Sequence, residues 1–341
     1  MKYFLLTLVL LSEFLFAKSF TIMSYNVQNL FDSKHDYGKD DYTYLPLWLK
    51  NESYEIRRQC TLIQNDYWRK SCLMTDWNEE VVEDKIENLC RVIATSSPDI
   101  VLLQEVENKS ILSQLFASEA CGEEFRYLSL IEGPDSRGID TAVASKFPIV
   151  FEKLHEIDLD GVAKPTRGIL EVKIKLENKS LTVFSNHWPS QANPSLARFK
   201  AAEVLVEKAH ASSSDLIVAA GDFNTIPSDS PHGINLVVRP HVYDSEFLAR
   251  GQGTDVFPGT HWYRGHWGSL DKMFIFKKSS GAIKADYKSF QIFSEEWMFK
   301  TKRWTDYGTG EVTYHSVPYS FSWKNKQGYS DHLPLMMRFD Y

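Results

Sequence analysis

Apolar residues along the chain fall into short continuous runs and stretches of helical spacing. The run FTIMSYNVQNLFD begins at Phe20 and predicts a strand ending at Asn26. Across residues 79–95, Val82, Ile86, Leu89 and Ile93 recur on one helical face, with Asn78 as N-cap and Pro98 as the stop. DIVLLQEVEN then predicts a buried strand ending near Glu105, ILSQLF a short helix, and RYLSLIE and GIDTAVASKFP two further strands. RGILEVKIKL alternates as a half-buried strand does, and LTVFSNHWPS is its hairpin partner. A helix is expected from Pro194 to Ala211, burying Leu196, Phe199, Val204 and Leu205, and the last strands are DLIVAAGDFN, SLDKMFIF and HLPLMMRF. Residues 33–76 are polar and aromatic without a sustained period and read as a long loop or insertion. Strands and helices alternate, yet hairpins interrupt the alternation. Two mixed sheets packed face to face, with helices outside, fit that order better than one parallel sheet.

Polar residues recur where apolar strands are expected to finish: Asn26, Glu105, Asp140, His187, Asp222, Asn224, Asp271, Asp331 and His332. Loops at strand ends carry function because the scaffold behind them is rigid. Asp222 and Asn224 stand two apart, so both side chains leave the strand end on the same side. Oxygen donors without thiols select a hard cation, Mg²⁺, Mn²⁺ or Ca²⁺, over structural zinc. Two histidines with candidate carboxylate partners supply acid–base and charge-stabilising groups. No GxSxG elbow, GxxxxGK[ST] loop or HExxH motif occurs. Metal-assisted phosphoester hydrolysis uses all of these residues.

The motifs SYNVQNLFD, LLQEVEN, RGIDTAVASKFP, SNHWPS, GDFN, SLDKMFIF and SDHLPL follow one another from about Phe20 to the C-terminus. In that order they resemble the endonuclease/exonuclease/phosphatase superfamily, which includes pancreatic-type deoxyribonucleases, abasic-site endonucleases, bacterial sphingomyelinases and inositol-polyphosphate phosphatases. The resemblance implies a four-layered α/β sandwich. It implies that Glu105 binds the catalytic metal, with Asn26 beside metal and phosphate and Asp331 completing the metal side. Asp222 would position or activate the attacking water, and Asn224 would bind the phosphate. His332 would stabilise phosphoryl charge, oriented by Asp271. His187 resembles the second histidine of the deoxyribonuclease-like branch, with Asp140 as its acidic partner, and Arg167 either reaches a phosphate or lies on an edge-strand surface.

Composition and charge narrow the setting. The 341 residues are 43% hydrophobic and 24% charged, an ordinary globular balance, and the net charge of −7 gives no general basic field for passive nucleic-acid binding. Residues 1–17 read as a secretory signal, with Lys2, an apolar run from Phe4 to Leu11 and a small Ala17 for cleavage. Residues 18–341 are then one domain, exported to a periplasmic or extracellular space as a monomer without stable membrane insertion. In that compartment Cys60–Cys72 is the most economical disulfide because both cysteines lie in the insertion, and the state of Cys90 and Cys121 stays open. The substrate expected first is DNA, with RNA as a further possibility. The alternative is a lipid headgroup or small phosphoester, for which Glu295–Trp304, EEWMFKTKRW, offers an aromatic membrane hairpin.

Overall fold

The computed structural model describes residues 18–122 and 124–341, so the signal assigned to residues 1–17 lies outside the described residues. Six strands form a first sheet: β1 (Ser19–Leu30), β2 (Ile100–Val106), β3 (Tyr127–Leu130), β4 (Asp140–Ser145), β13 (Lys284–Ile292) and β16 (Leu335–Asp340). Their order is β13-β16-β1-β2-β4-β3. A second sheet contains β5 (Ile149–His155), β6 (Ile169–Leu176), β7 (Lys179–His187), β8 (Leu216–Asp222), β9 (Val242–Asp244) and β12 (Asp271–Phe276). Its order is β5-β6-β7-β8-β12-β9. Two hairpins stand apart, β10 (His261–Tyr263) with β11 (His266–Gly268), and β14 (Phe299–Thr305) with β15 (Val312–Pro318).

Period-2 burial produces the layers. Along β8, Leu216, Val218 and Ala220 enter the core between the sheets, while Ile217 and Ala219 face the opposite way. β12 repeats this, with Met273 and Ile275 inward and Phe274 and Phe276 outward. A strand buried on both faces needs cover on both faces. The outer cover of the second sheet is the helix Ser195–Ala211, whose buried face is Ala197, Arg198, Ala201, Ala202, Leu205 and Ala209. The expected face differed there: Leu196 is exposed and Phe199 and Val204 are half-buried, because small alanines allow closer approach to the sheet. The helix Glu79–Ser96 covers the first sheet with Val82, Ile86, Leu89 and Ile93, and the Asn78 side chain accepts from the Val81 N–H at its start. Two mixed sheets between helices give the four-layered α/β sandwich that the resemblance implied.

The segment 33–76 is helical where a long loop was expected. Short helices span Leu47–Glu52, Tyr54–Leu62 and Asp66–Met74, the last two capped by the side chains of Ser53 and Asn65. Each is too short to display a sustained periodic face in sequence. Disulfides join Cys60 to Cys72 and Cys90 to Cys121, and no described cysteine is free. The second bridge ties the helix Glu79–Ser96 to the turn Glu119–Cys121.

Candidate active site

Topology gathers the polar residues at one edge. β1 and β2 run parallel, as do β7 and β8, so Asn26, Glu105, His187 and Asp222 stand at or near their C-terminal ends. β4, β12 and β16 run antiparallel to neighbours in these pairs, so their beginnings meet the same edge and bring Asp140, Asp271 and the His332 segment. The backbone there is left-handed at Gln28, Asn29, Glu105 and Asn224, with φ of 55°, 56°, 67° and 48°. Non-glycine residues in that region cost energy and cluster at functional sites. Gly221 precedes Asp222 with φ 143°, and a Cβ there would lie 1.9 Å from the Asn186 carbonyl oxygen. The GDFN turn therefore requires glycine.

Asn26 bridges the two sheets. Its Nδ2 donates to Asp222 Oδ2 at 3.2 Å and reaches Glu105 Oε1 at 3.5 Å, while its Oδ1 accepts from the Gln28 N–H. The amide so assigned presents a donor, not an oxygen, to the carboxylates. Glu105 Oε2 accepts from the Asn29 N–H at 2.9 Å, and Asp222 Oδ1 from the Asn224 N–H at 2.8 Å. Burial, and then the charge of Asp271 across the β8–β12 pair, push the Asp222 carboxyl up to about 7. Asn224 Nδ2 donates to the Trp188 carbonyl at 3.1 Å, which fixes the amide at the rim of the site.

His332 and Asp271 are brought together, Nδ1 to Oδ2, at 2.7 Å. Burial alone would lower the imidazole, but the charge and hydrogen bond of Asp271, with Asp331 and Asp222 behind it, raise it well above its ordinary value. The second Asp271 oxygen, Oδ1, is buried without a partner. Ligand atoms of Asp222, Asp271 and His332 lie within 4.8 Å of one another, and so do those of His261, Asp331 and His332. Asp331 thus falls beside His261, and among the described residues no such group of His, Cys, Asp or Glu includes Glu105. His261 was not singled out in the sequence. Its ring stands 4.8 Å from that of His332, and burial followed by the His332 charge lowers it to about 4.

The expected partnership of His187 with Asp140 is not formed. No hydrogen bond or ion pair joins them: Asp140 Oδ1 accepts from the Gly133 N–H at 2.9 Å, and its Oδ2 has no partner. Burial pushes the Asp140 carboxyl up to about 7. His187 is instead held by Arg167, whose Nη2 lies 2.8 Å from His187 Nε2. That arginine is no surface residue, at 4% exposure. It donates to the carbonyls of His187 and Trp188 and to Asp135 Oδ2, so most of its N–H groups serve the scaffold. Since a guanidinium only donates, His187 Nε2 accepts and the ring is neutral. Burial, and then the charges of Arg167 and Arg137, lower His187 well below its ordinary value. His187 Nε2 also faces Asp222 Oδ2 at 3.7 Å and Glu105 Oε1 at 3.8 Å.

These groups line a cleft of about 770 Å³ that includes Glu105, Arg167, His187, Asp222, Asn224 and His332. Arg137, Lys164, Tyr263, His266 and Trp267 also line it. Sequence reasoning missed Asp135, Arg137 and His261. The histidine- and aromatic-rich stretch THWYRGHW, Thr260–Trp267, carried a signal for the last. The partnerless buried Asp271 Oδ1 and the carboxylates of Glu105, Asp222 and Asp271 fit a hard divalent cation.

A family model described as the endonuclease/exonuclease/phosphatase family matches residues 54–340. No curated protein sequence matches the chain. Among solved structures, humanized D. rerio TDP2 is similar with a TM-score of 0.55 at 15% identity, over 95% of this chain and 99% of that one. Staphylococcus aureus beta toxin with bound magnesium ions gives 0.54 at 14% identity, over 94% and 99%. Bacteroides thetaiotaomicron mannosyl-6-phosphatase Bt3783 gives 0.51 at 13% identity, over 94% and 100%. At these identities the likeness is one of fold.

Proposed function

Since the chain belongs to the endonuclease/exonuclease/phosphatase family, whose members are metal-dependent phosphoesterases, we propose that it is an exported nuclease that cleaves phosphodiesters of DNA, and of RNA. The observation that carries this reading is a cleft holding two histidines in opposite charge states around one group of carboxylates. The aromatic wall of Tyr263 and Trp267 suits stacked bases, and Arg137 and Lys164 suit a phosphate backbone. A further structure of D. rerio TDP2, similar with a TM-score of 0.51 at 15% identity, is complexed with single-strand DNA product, which supports nucleic acid as the class.

Glu105 and Asp222 would hold the divalent cation, with Asn26 after rotation of its amide, and Asp331 would act from the His261 side. Bound there, Mg²⁺ or Mn²⁺ supplies Lewis-acid charge that offsets negative charge on the phosphoryl oxygens. Ca²⁺ has the same ligand chemistry. Asp222 orients the attacking water and takes its proton. As the water oxygen bonds to phosphorus the bond to the departing ester oxygen breaks; the His332 imidazolium, fixed by Asp271, hydrogen-bonds a phosphoryl oxygen, and the departing oxygen takes up a proton equivalent to the one Asp222 removes from the water. Neutral His187 accepts from Arg167 and keeps its ring against the carboxylates, while Asn224 fixes the phosphate from the rim. Asp140 buttresses the Gly133 turn next to Arg167.

No described helix is long and apolar enough to cross a membrane, and the two disulfides suit an oxidising compartment. Export rests on residues 1–17. The test is one panel: mature protein with Mg²⁺, Mn²⁺ or Ca²⁺ against plasmid DNA, RNA, sphingomyelin and bis-p-nitrophenyl phosphate. Nucleic acid should be cut fastest, and Glu105→Gln should abolish cutting with the fold intact. Full activity in excess chelator would defeat the metal mechanism, and preference for sphingomyelin would defeat the nuclease reading.

A further inference from the structure

The cleft has a neighbour. Across the strand His261–Tyr263 lies a second cavity of about 460 Å³, walled by Trp262, Asp331 and the hairpin β14–β15 through Lys300, Lys302 and Val317. His261 and Tyr263 line both cavities, and Asp331 directly precedes His332. A group seated in the second cavity is therefore separated from the His332 site by a single side-chain layer.

Lys300 and Lys302 stand two apart on β14 and leave it on the same side. Each ammonium lies over an aromatic face: Lys300 Nζ is 5.1 Å from the Tyr319 ring centroid, and Lys302 Nζ is 4.8 Å from that of buried Trp262. Cation–π contact orients an ammonium without neutralising it. Neither lysine makes an ion pair or side-chain hydrogen bond among the described residues, and the only carboxylate lining the cavity is Asp331. Partial burial, and then the Lys302 charge, lower the Lys300 amine, with the Asp331 charge opposing that shift. In a chain of net charge −7 this is a local device, not part of a general basic surface.

We propose that this second cavity is a subsite for the neighbouring phosphate of a nucleic-acid strand, bound by Lys300 and Lys302 while the scissile phosphate occupies the main cleft. The proposal rests on the reading of that cleft as a nuclease site. Two fixed ammonium groups beside the reacting phosphate make a strand a better substrate than an isolated diester, because only a strand can fill both cavities. Specificity for polymers then comes from the hairpin and not from the groups around Glu105.

The test compares wild type with Lys300→Gln/Lys302→Gln, a pair of exposed positions where glutamine keeps most of the length and removes the charge. Binding of fluorescein-labelled dodecathymidylate is read by anisotropy in excess EDTA, so that no turnover is needed. The dissociation constant should rise about tenfold at about 0.1 M salt, and the salt slope should fall by about 0.7 for the lost phosphate contact. The ratio of kcat/KM on dodecathymidylate to kcat/KM on bis-p-nitrophenyl phosphate should fall about tenfold. An unchanged binding constant and salt slope would overturn the subsite. So would intact oligonucleotide binding with lost sedimentation on phosphatidylglycerol vesicles, which would assign the hairpin to lipid. If the double variant does not fold, Lys302→Gln alone should give a smaller shift in the same direction. A wild type that cuts neither substrate defeats the catalytic reading instead, and the anisotropy arm still decides the subsite.

Discussion

Replacing Asp271 with asparagine removes a charge and little else. Its Oδ2 stands 2.7 Å from His332 Nδ1, and asparagine can still accept that N–H. Charge centres about 4 Å apart interact by about 4 kcal/mol at an effective dielectric near 20. Losing that interaction lowers the His332 pKa. Protonated His332 is the active form, so the alkaline limb of the pH profile should move acidward. Asp222 must be ionised, and it is held near 7 by burial and then by the Asp271 charge, so the acidic limb should move acidward too. At neutral pH, turnover of bis-p-nitrophenyl phosphate with saturating Mg²⁺ should drop about 10²- to 10⁴-fold, with partial recovery at lower pH. Adding Asp271→Asn to His332→Ala should cost about threefold or less, because paired residues act as a unit. The assay is a kcat/KM–pH series on the four proteins of this cycle. An alkaline limb that stays in place, or losses that multiply independently, would refute the dyad.

Two further outcomes test the scaffold. Burial pushes the Glu107 carboxyl from 4.5 up to about 9, with Asp32, Asp36 and Asp41 adding like charge. The folded state keeps a proton there that the unfolded chain releases, so stability falls as pH rises from about 4.5 to 9. Glu107→Gln should flatten that slope and gain on the order of a few kcal/mol at alkaline pH in urea melts, and an unchanged slope would contradict the assignment. Non-reducing peptide maps should recover both Cys60–Cys72 and Cys90–Cys121. The second bridge spans a sequence separation of 31, and its removal should cost about 3–4 kcal/mol. Free Cys90 and Cys121 in oxidised material would refute it.

What the sequence carried follows from where its signals arise. The helix Glu79–Ser96 was legible because one long element buries one face, and β8 because both its faces are buried. Of the hairpin β14–β15 only the first arm was marked, within Glu295–Trp304, since VTYHSVP is mostly polar and buries little. The residues of GDFN and SDH were visible because each motif is continuous. The hold of Arg167 on His187 was not, because its partners Asp135, His187 and Trp188 come from separate segments and meet only in the folded chain. Asp140 was paired wrongly for the same reason. Proximity of motifs in sequence order said nothing of the Gly133 N–H that occupies its carboxylate.

The two histidines show most clearly what only the fold decides. NHW and SDH look alike as motifs, each a histidine with acidic residues elsewhere in the chain. His332 meets a carboxylate, and its charged form is favoured against the cost of burial. His187 meets a guanidinium, and burial and repulsion both favour the neutral ring. Pairs of titratable groups driven apart by their surroundings mark acid and base roles. Here the division depends on Arg167, which reaches His187 from the turn before β6, and on Asp271, which stands opposite Asp222 at the start of β12. An edge where parallel strands end and antiparallel strands begin lets one sheet deliver Asp222, Asp271 and His187, while Asn26 and Glu105 arrive from the other. Substitution at either partner should therefore alter the ionisation of the site before it alters its shape.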